Sequence, residues 1–388
     1  MISLASKIQK IFQSVRERLP SQSYASNKSK VIDAISLCRT PQMGGFVQRC
    51  DDCGHTEAHF HSCRNRHCPI CQGSQQERWV ERQVANTLPL QYFHVVFTLP
   101  SELNSLFLAN PVVLYNLLFQ AASSTLLTLA KDEKFLGAQA GFTTVLHTWG
   151  RNLQFHPHLH CIVAGGGLST DGNRFVCSKE SFFLPVRAMK KVFRGKFLEQ
   201  LKSLFVQNRL QLPQKVASIS KRQELLDKLY SMDWIVYCKK PFTDSSHVIR
   251  YLGRYTHRVA ISDSRIVSYD TVLHKVRFKW KDYKDSNRTK VMELSDDEFV
   301  RRFLLHVLPS GFMKIRHYGF LANKNRDQRL ERCRALLKVI KHIIPAVFSV
   351  KPKPQARHCC PDCGSSAFAV VFSSPRYQPA LLPTGTGP

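Results

Sequence analysis

The chain has 388 residues, 43% of them hydrophobic, which is enough for a sizeable buried core, and it sets 56 lysines and arginines against 28 acidic residues for a formal charge of +28. Spread along the whole length, that excess points to a polyanionic partner, nucleic acid ahead of a membrane surface. No apolar run reaches the roughly 18 residues of a membrane span, and the start, MISLASKIQKIFQSVRERL, reads as a basic amphipathic helix with no small-residue cleavage site, so a cytoplasmic, DNA-associated protein with no membrane partner is expected.

In chain order, residues 1–40 read as a basic helical segment and 41–88 as a small metal-binding unit that holds five of the thirteen cysteines, with little periodic structure over 41–75. Residues 89–325 mix strand-like runs (YFHVVFTLP, GFTTVLHTWG, HCIVAGG, DWIVYCKKPF, KVRFKWKDY) with helical ones at 103–130, 187–208, 221–230, 245–257 and 296–308, an α+β domain of catalytic size. The remainder, 326–388, reads as a basic helix, a Pro-spaced linker, a short CCPDCG and a disordered Pro/Gly-rich tail, SSPRYQPALLPTGTGP.

The pair Cys50/Cys53 precedes the pair Cys68/Cys71 by fourteen residues, and two such knuckles close a tetrahedral zinc site. Cys63 and His67, with His55 and His61 nearby, compete for one of those positions or hold a second zinc. The zinc is read as structural, because no general-base carboxylate stands between the ligands as in a zinc hydrolase. Arg64, Asn65 and Arg66 inside the cluster suggest a finger that helps to read DNA. The later pair Cys360/Cys363 has no downstream partner: half of a site completed elsewhere, or nothing.

In HPHLHCIVAGGG, His158 and His160 flank Leu159, so on a strand both imidazoles leave one face while Leu159 packs behind. Pro157 cannot donate to a ladder, which starts the strand there and leaves His156 at its edge. If GFTTVLHTWG is the other arm of a hairpin with a loop at 151–154, His147 faces His158 with Cβ atoms about 5 Å apart. His94 is the rival third ligand. Imidazoles around a phosphate site fit Mg²⁺ or Mn²⁺ as a Lewis acid. In SSHVIRYLGRYTHRVAISD, Tyr251 and Tyr255 are spaced i,i+4 on one helix face, among Arg250, Arg254, His257 and Arg258, which suit phosphate binding and lower a phenol's pKa.

HPHLHCIVAGGGLS, VIRYLGRYTHRVAIS, the leading CRNRHCPICQ and the trailing RRFLLHVLPSGFMKIRHYGF together closely resemble the two-tyrosine HUH transposases of the insertion-sequence 91 family, over about residues 30–325. The resemblance implies a zinc-binding domain followed by a HUH endonuclease domain, a ferredoxin-like antiparallel sheet with helices. It implies cleavage and rejoining of single-stranded DNA at element ends by a rolling-circle route, with His158 and His160 as the metal pair, Tyr251 and Tyr255 as nucleophiles and a 5′-phosphotyrosine intermediate. His147 fits the hairpin spacing of the related relaxases. With no GxxxxGK[ST] loop in the chain, unwinding is left to host helicase and replication enzymes. The alternative is a rolling-circle replication initiator or relaxase with the same chemistry.

Overall fold

The computed structural model describes residues 6–19, 25–72, 86–180, 183–242, 260–282, 285–340 and 358–377, with Gly253 and single positions between 77 and 83. At its centre lies an antiparallel sheet ordered β11 (Ile315–Tyr318), β4 (Gln139–Trp149), β5 (Phe155–Leu168), β3 (Tyr92–Thr98), β7 (Val236–Phe242), with β6 (Phe175–Cys177) pairing the far end of β5. Alternation decides which residues lie on each face. Phe93, Val95 and Phe97 of β3 and Leu159, Cys161 and Val163 of β5 point into the main core, where α4 (Pro111–Lys131) and α5 (Val186–Val206) cover them. The intervening His94, His158 and His160 are left for the opposite face.

Helix α4 follows α3 (Asn104–Ala109), and Pro111 at its first turn suits a position whose N–H has no partner in any case. Its 21 residues are long and apolar enough to cross a membrane, contrary to the reading of the bare sequence, but 61% of the most apolar stretch is buried. It is a core helix. Helix α6 (Ile219–Ser231) is capped by the Ser218 hydroxyl, which accepts from Lys221 N–H, and it packs beside α5.

The glycines after the histidine run make room for neighbouring chain. A Cβ on Gly167 would come within 2.6 Å of the Gln139 carbonyl oxygen on β4, so the sheet closes only because the side chain is absent. On the histidine face, α8 (Arg326–Ile340) closes one end through Leu330, Cys333 and Leu337 against Ile162, Ala164 and Phe320.

A second core joins parts far apart in sequence. Helix α1 (Lys7–Arg18) is started by the Ser6 hydroxyl, which accepts from Gln9 N–H, and buries Ile8, Ile11, Phe12 and Val15. It pairs with α2 (Ser26–Leu37) and packs on a three-stranded sheet, β8 (Ile266–Asp270), β9 (Lys275–Asp282) and β10 (Arg288–Ser295), and on α7 (Asp296–Leu304). Phe12 meets Phe303 edge-on at 5.0 Å. Thus residues 6–37, expected to form a segment of their own, share a core with 260–304 and with Cys38, Cys68 and Cys71.

A third sheet closes the ends of the chain on each other. The region expected to lack periodic structure holds the hairpin β1 (Gly45–Cys50) and β2 (Thr56–Phe60), and β12 (Phe368–Ser373) adds to the free side of β1 in the order β12-β1-β2. The first residues of the tail read as disordered are therefore placed: Tyr377 N–H donates to Met43 O, and Ser374 N–H to Gly45 O.

Candidate active site and cysteine centres

The hairpin of β4 and β5 sets His147 directly opposite His158, the register inferred from loop length, with an irregularity between His147 and Trp149. Strand β5 begins at Phe155, earlier than Pro157, because Phe155 pairs with Trp149. One nitrogen from each of His147, His158 and His160 lies within 4.8 Å of the others. His147 and His160 are buried, at 3% and 7% exposure, so the three imidazoles form a nearly closed cup and not a polar sheet surface.

Their orientations are held from behind. His158 Nδ1 donates to His156 O at 2.7 Å, which leaves Nε2 as a bare lone pair pointing at His160 Nε2, 3.1 Å away. On the far side His160 Nδ1 lies 2.8 Å from His94 Nε2, with the two rings stacked. His147 stacks on Trp149 at 4.5 Å. Burial, reinforced by neighbouring imidazoles, drives the pKa of His158 down to about 3 and that of His160 well below the usual value; burial and then Lys239 lower His94 to about 4. At neutral pH these rings are uncharged, the form a metal requires.

This donor set fits a metal. Two nitrogens on a cation at 2.0–2.1 Å stand about 3 Å apart, close to the 3.1 Å found between His158 Nε2 and His160 Nε2. Were His158 and His160 to share a cation, the His160 proton would sit on Nδ1 and donate to His94 Nε2. His94, the rival for third ligand, lies behind His160 and is not one of the three converging imidazoles. Tyr251 and Tyr255, with Arg250, Arg254 and Arg258, lie outside the described residues; β7, which ends at Phe242 beside β3, leads into their segment.

The cysteines form two centres, and neither is the one expected. Cys50 and Cys53 do not meet Cys68 and Cys71. Cys68 and Cys71 converge with Cys38, at the end of α2, and Cys63; Cys50 and Cys53 converge with Cys360 and Cys363. Sulfur separations of 3.4 Å (Cys38 to Cys71), 3.6 Å (Cys63 to Cys71) and 3.5 Å (Cys50 to Cys363 and Cys53 to Cys360) are too long for disulfides at about 2.05 Å, and match the edge of a tetrahedron of sulfurs about 2.3 Å from zinc, about 3.7 Å. In the first centre, hydrogen bonds among the sulfurs pull the Cys38 and Cys71 thiols down and push Cys63 and Cys68 up. Linear proximity joined the wrong pairs, because β1 and β2 carry Cys50 and Cys53 away from α2. Cys38 was missed; its only signal was a lone cysteine after an amphipathic run.

His67 joins neither cysteine cluster. It is buried, receives Arg66 Nε–H at 3.3 Å, and is driven down to about 3 by burial and then by Arg66 and Lys314. Arg66 is likewise engaged, donating to Phe312 O and to Pro309 O at 2.7 Å, so it ties the cysteine unit to the loop before β11. His55 and His61 turn to Asp362 and Ser374 O.

Residues 7–99 match a family described as "Transposase zinc-binding domain", and residues 141–329 one described as "Putative transposase". The chain is 48% identical over 323 residues to the "Putative transposase y4qJ" of Sinorhizobium fredii, covering 82% of this chain and 81% of that one. It is 30% identical over 322 residues to the "Transposase for insertion sequence element IS801" of Pseudomonas savastanoi pv. phaseolicola, covering 80% and 74%. No solved structure matches. The first match includes the whole Cys38/Cys63/Cys68/Cys71 centre together with Cys50 and Cys53, and the second spans the histidine cup and the tyrosine segment; with these relatives aligned over most of their length, the chain belongs to the insertion-sequence 91 family of two-tyrosine HUH transposases with an N-terminal zinc-binding domain.

Proposed function

We propose that this transposase cleaves and rejoins single-stranded DNA at the ends of its element through a 5′-phosphotyrosine intermediate, with Tyr251 and Tyr255 as nucleophiles. The observation that carries the reading is the cup of His147, His158 and His160 on adjacent strands, its back held by His156 O and His94. Mg²⁺ or Mn²⁺ held there supplies Lewis-acid polarisation of the scissile phosphate. The three imidazoles fix where that phosphate sits; Arg250, Arg254 and Arg258 bind the strand around it.

In the reaction, a tyrosine oxygen forms a bond to phosphorus and the bond from phosphorus to the 3′ oxygen breaks. The phenol's proton ends on that oxygen, leaving a free 3′-OH and a 5′-phosphotyrosine. The ester retains the bond energy, so a later 3′-OH can reverse the step on another strand without ATP. Two tyrosines let one keep its covalent end while the other cuts, which suits rolling-circle movement in the bacterial cytoplasm with strand separation supplied by host helicase. Cys50, Cys53, Cys68 and Cys71 serve structural zinc.

The test uses labelled single strands bearing element ends. Tyr251→Phe with Tyr255→Phe is expected to form no covalent protein–DNA adduct. His160→Ala is expected to lose cleavage while binding DNA, since affinity comes mostly from cationic side chains. An adduct from the double variant, or full cleavage by His160→Ala in magnesium buffer, refutes the reading.

A further inference from the structure

The pair Cys360/Cys363 lies beyond both family-matched spans, yet it is built like Cys50/Cys53. The two stretches read CDDCGH and CPDCGS. In each, the N–H of the glycine after the second cysteine returns to the carbonyl of the first: Gly54 to Cys50 at 3.0 Å and Gly364 to Cys360 at 2.9 Å. In each, the N–H of the first cysteine donates to the residue after that glycine: Cys50 to His55 O at 2.8 Å and Cys360 to Ser365 O at 2.7 Å. Both glycines are left-handed, with φ of 77° and 75°. Main-chain N–H groups also face the sulfurs, His55 toward Cys53 and Ser365 toward Cys363, as thiolate ligands require.

These are two copies of one knuckle, set face to face across β1 and β12. We propose that Cys50, Cys53, Cys360 and Cys363 bind a second structural zinc, separate from the Cys38/Cys63/Cys68/Cys71 centre, which fastens the C-terminal segment to the N-terminal unit. Two observations independent of the sulfurs support the closure. Strand β12 pairs with β1 from Phe46 to Cys50, and side chains bridge the same seam: His55 Nδ1 to Asp362 Oδ2 at 2.7 Å and His358 Nε2 to Glu57 Oε2 at 2.9 Å. Four thiolates and no carboxylate or imidazole in the first sphere select zinc over Mg²⁺ or Mn²⁺. Because all four positions are protein sulfurs, no site is left for water, and the centre holds structure without doing chemistry.

The test counts thiolate-bound zinc in the full-length protein. A mercurial that displaces zinc from sulfur, read with a metallochromic dye, is expected to release two zinc ions per chain, and X-ray absorption at the zinc edge to show sulfur neighbours near 2.3 Å. Cys360→Ser with Cys363→Ser is expected to release one, as is Cys50→Ser with Cys53→Ser, whereas Cys359→Ser keeps two. One zinc per chain in the unmodified protein, or two in the Cys360/Cys363 variant, overturns the proposal. One zinc in total, lost on Cys50→Ser with Cys53→Ser and on Cys68→Ser with Cys71→Ser but kept in the Cys360/Cys363 variant, would mean that Cys50, Cys53, Cys68 and Cys71 share one site after all. No outcome depends on DNA cleavage, so the proposal stands or fails apart from the phosphotyrosine reading.

Discussion

His94→Ala separates a metal ligand from a residue that positions one. His94 is 2% exposed and its ring stacks on His160 with centroids 5.0 Å apart, its Nε2 lying 2.8 Å from His160 Nδ1. When His160 gives Nε2 to a cation, its Nδ1–H becomes more acidic, so the bond to His94 is closer to a charged than a neutral hydrogen bond, about 1.5–3 kcal/mol. Partners of this kind change metal affinity by about 10- to 100-fold, which is about 1.4–2.8 kcal/mol, the same range by a separate route. The assay is the cleavage rate of a labelled single strand against Mn²⁺ concentration. His94→Ala should shift the midpoint 10- to 100-fold upward and recover near-normal cleavage at saturating metal. His147→Ala should not recover. Removing a buried ring also lowers stability by about 2–3 kcal/mol, so a thermal melt must show both variants folded at the assay temperature. An unmoved metal curve in folded His94→Ala refutes the positioning role, and a loss that no metal concentration repairs makes His94 a direct ligand.

Other expectations concern the scaffold. Phe12→Ala removes a fully buried ring from the joint between α1 and α7 and should cost about 3–5 kcal/mol in denaturant unfolding; a loss below 1 kcal/mol would show that α1 is not part of that core. Gly319 has φ of 62°, and a Cβ there would lie 1.7 Å from Ala140 O on β4, so Gly319→Ala should destabilise by more than about 3 kcal/mol or abolish soluble expression. Asp296 is buried, which alone raises its pKa, but hydrogen bonds from Tyr269 at 2.8 Å and Arg18 at 2.7 Å outweigh burial and hold it below the ordinary carboxylate value. A depressed folded pKa stabilises above the unfolded pKa, about 3.9, and that stability is lost as pH falls through the folded value. Asp296→Asn should therefore cost about 2 kcal/mol at pH 7, measured by denaturant midpoint, and the difference from the parent should shrink on acidification below pH 4; a constant difference would contradict this account.

The histidine cup was legible because its information is local. A period of two puts His158 and His160 on one face, and a short loop fixes which residue of the preceding strand lies opposite, so His147 followed from counting. The role of His94 was not legible, since it depends on the order of β3 and β5 in the sheet. The cysteine centres misled for the opposite reason. Spacing identifies a knuckle, but each knuckle closes with a partner that only the fold supplies: Cys38 through the packing of α2, and Cys360 and Cys363 through a strand more than 300 residues from β1. The shared core of α1 and α7 was equally hidden, because the apolar stripe of α1 states that it is covered without stating by what.

The tyrosine-bearing segment has its two ends fixed to different bodies. On one side β7 is hydrogen-bonded into the sheet that holds the histidines. On the other, Ala260 and Ile261 are buried in the core containing Cys38, Cys68 and Cys71. The distance from Phe242 to Ala260 is therefore set jointly by the sheet and by the core that holds three of the cysteines, so a shift of that core relative to the sheet changes the span that residues 243–259 have to bridge.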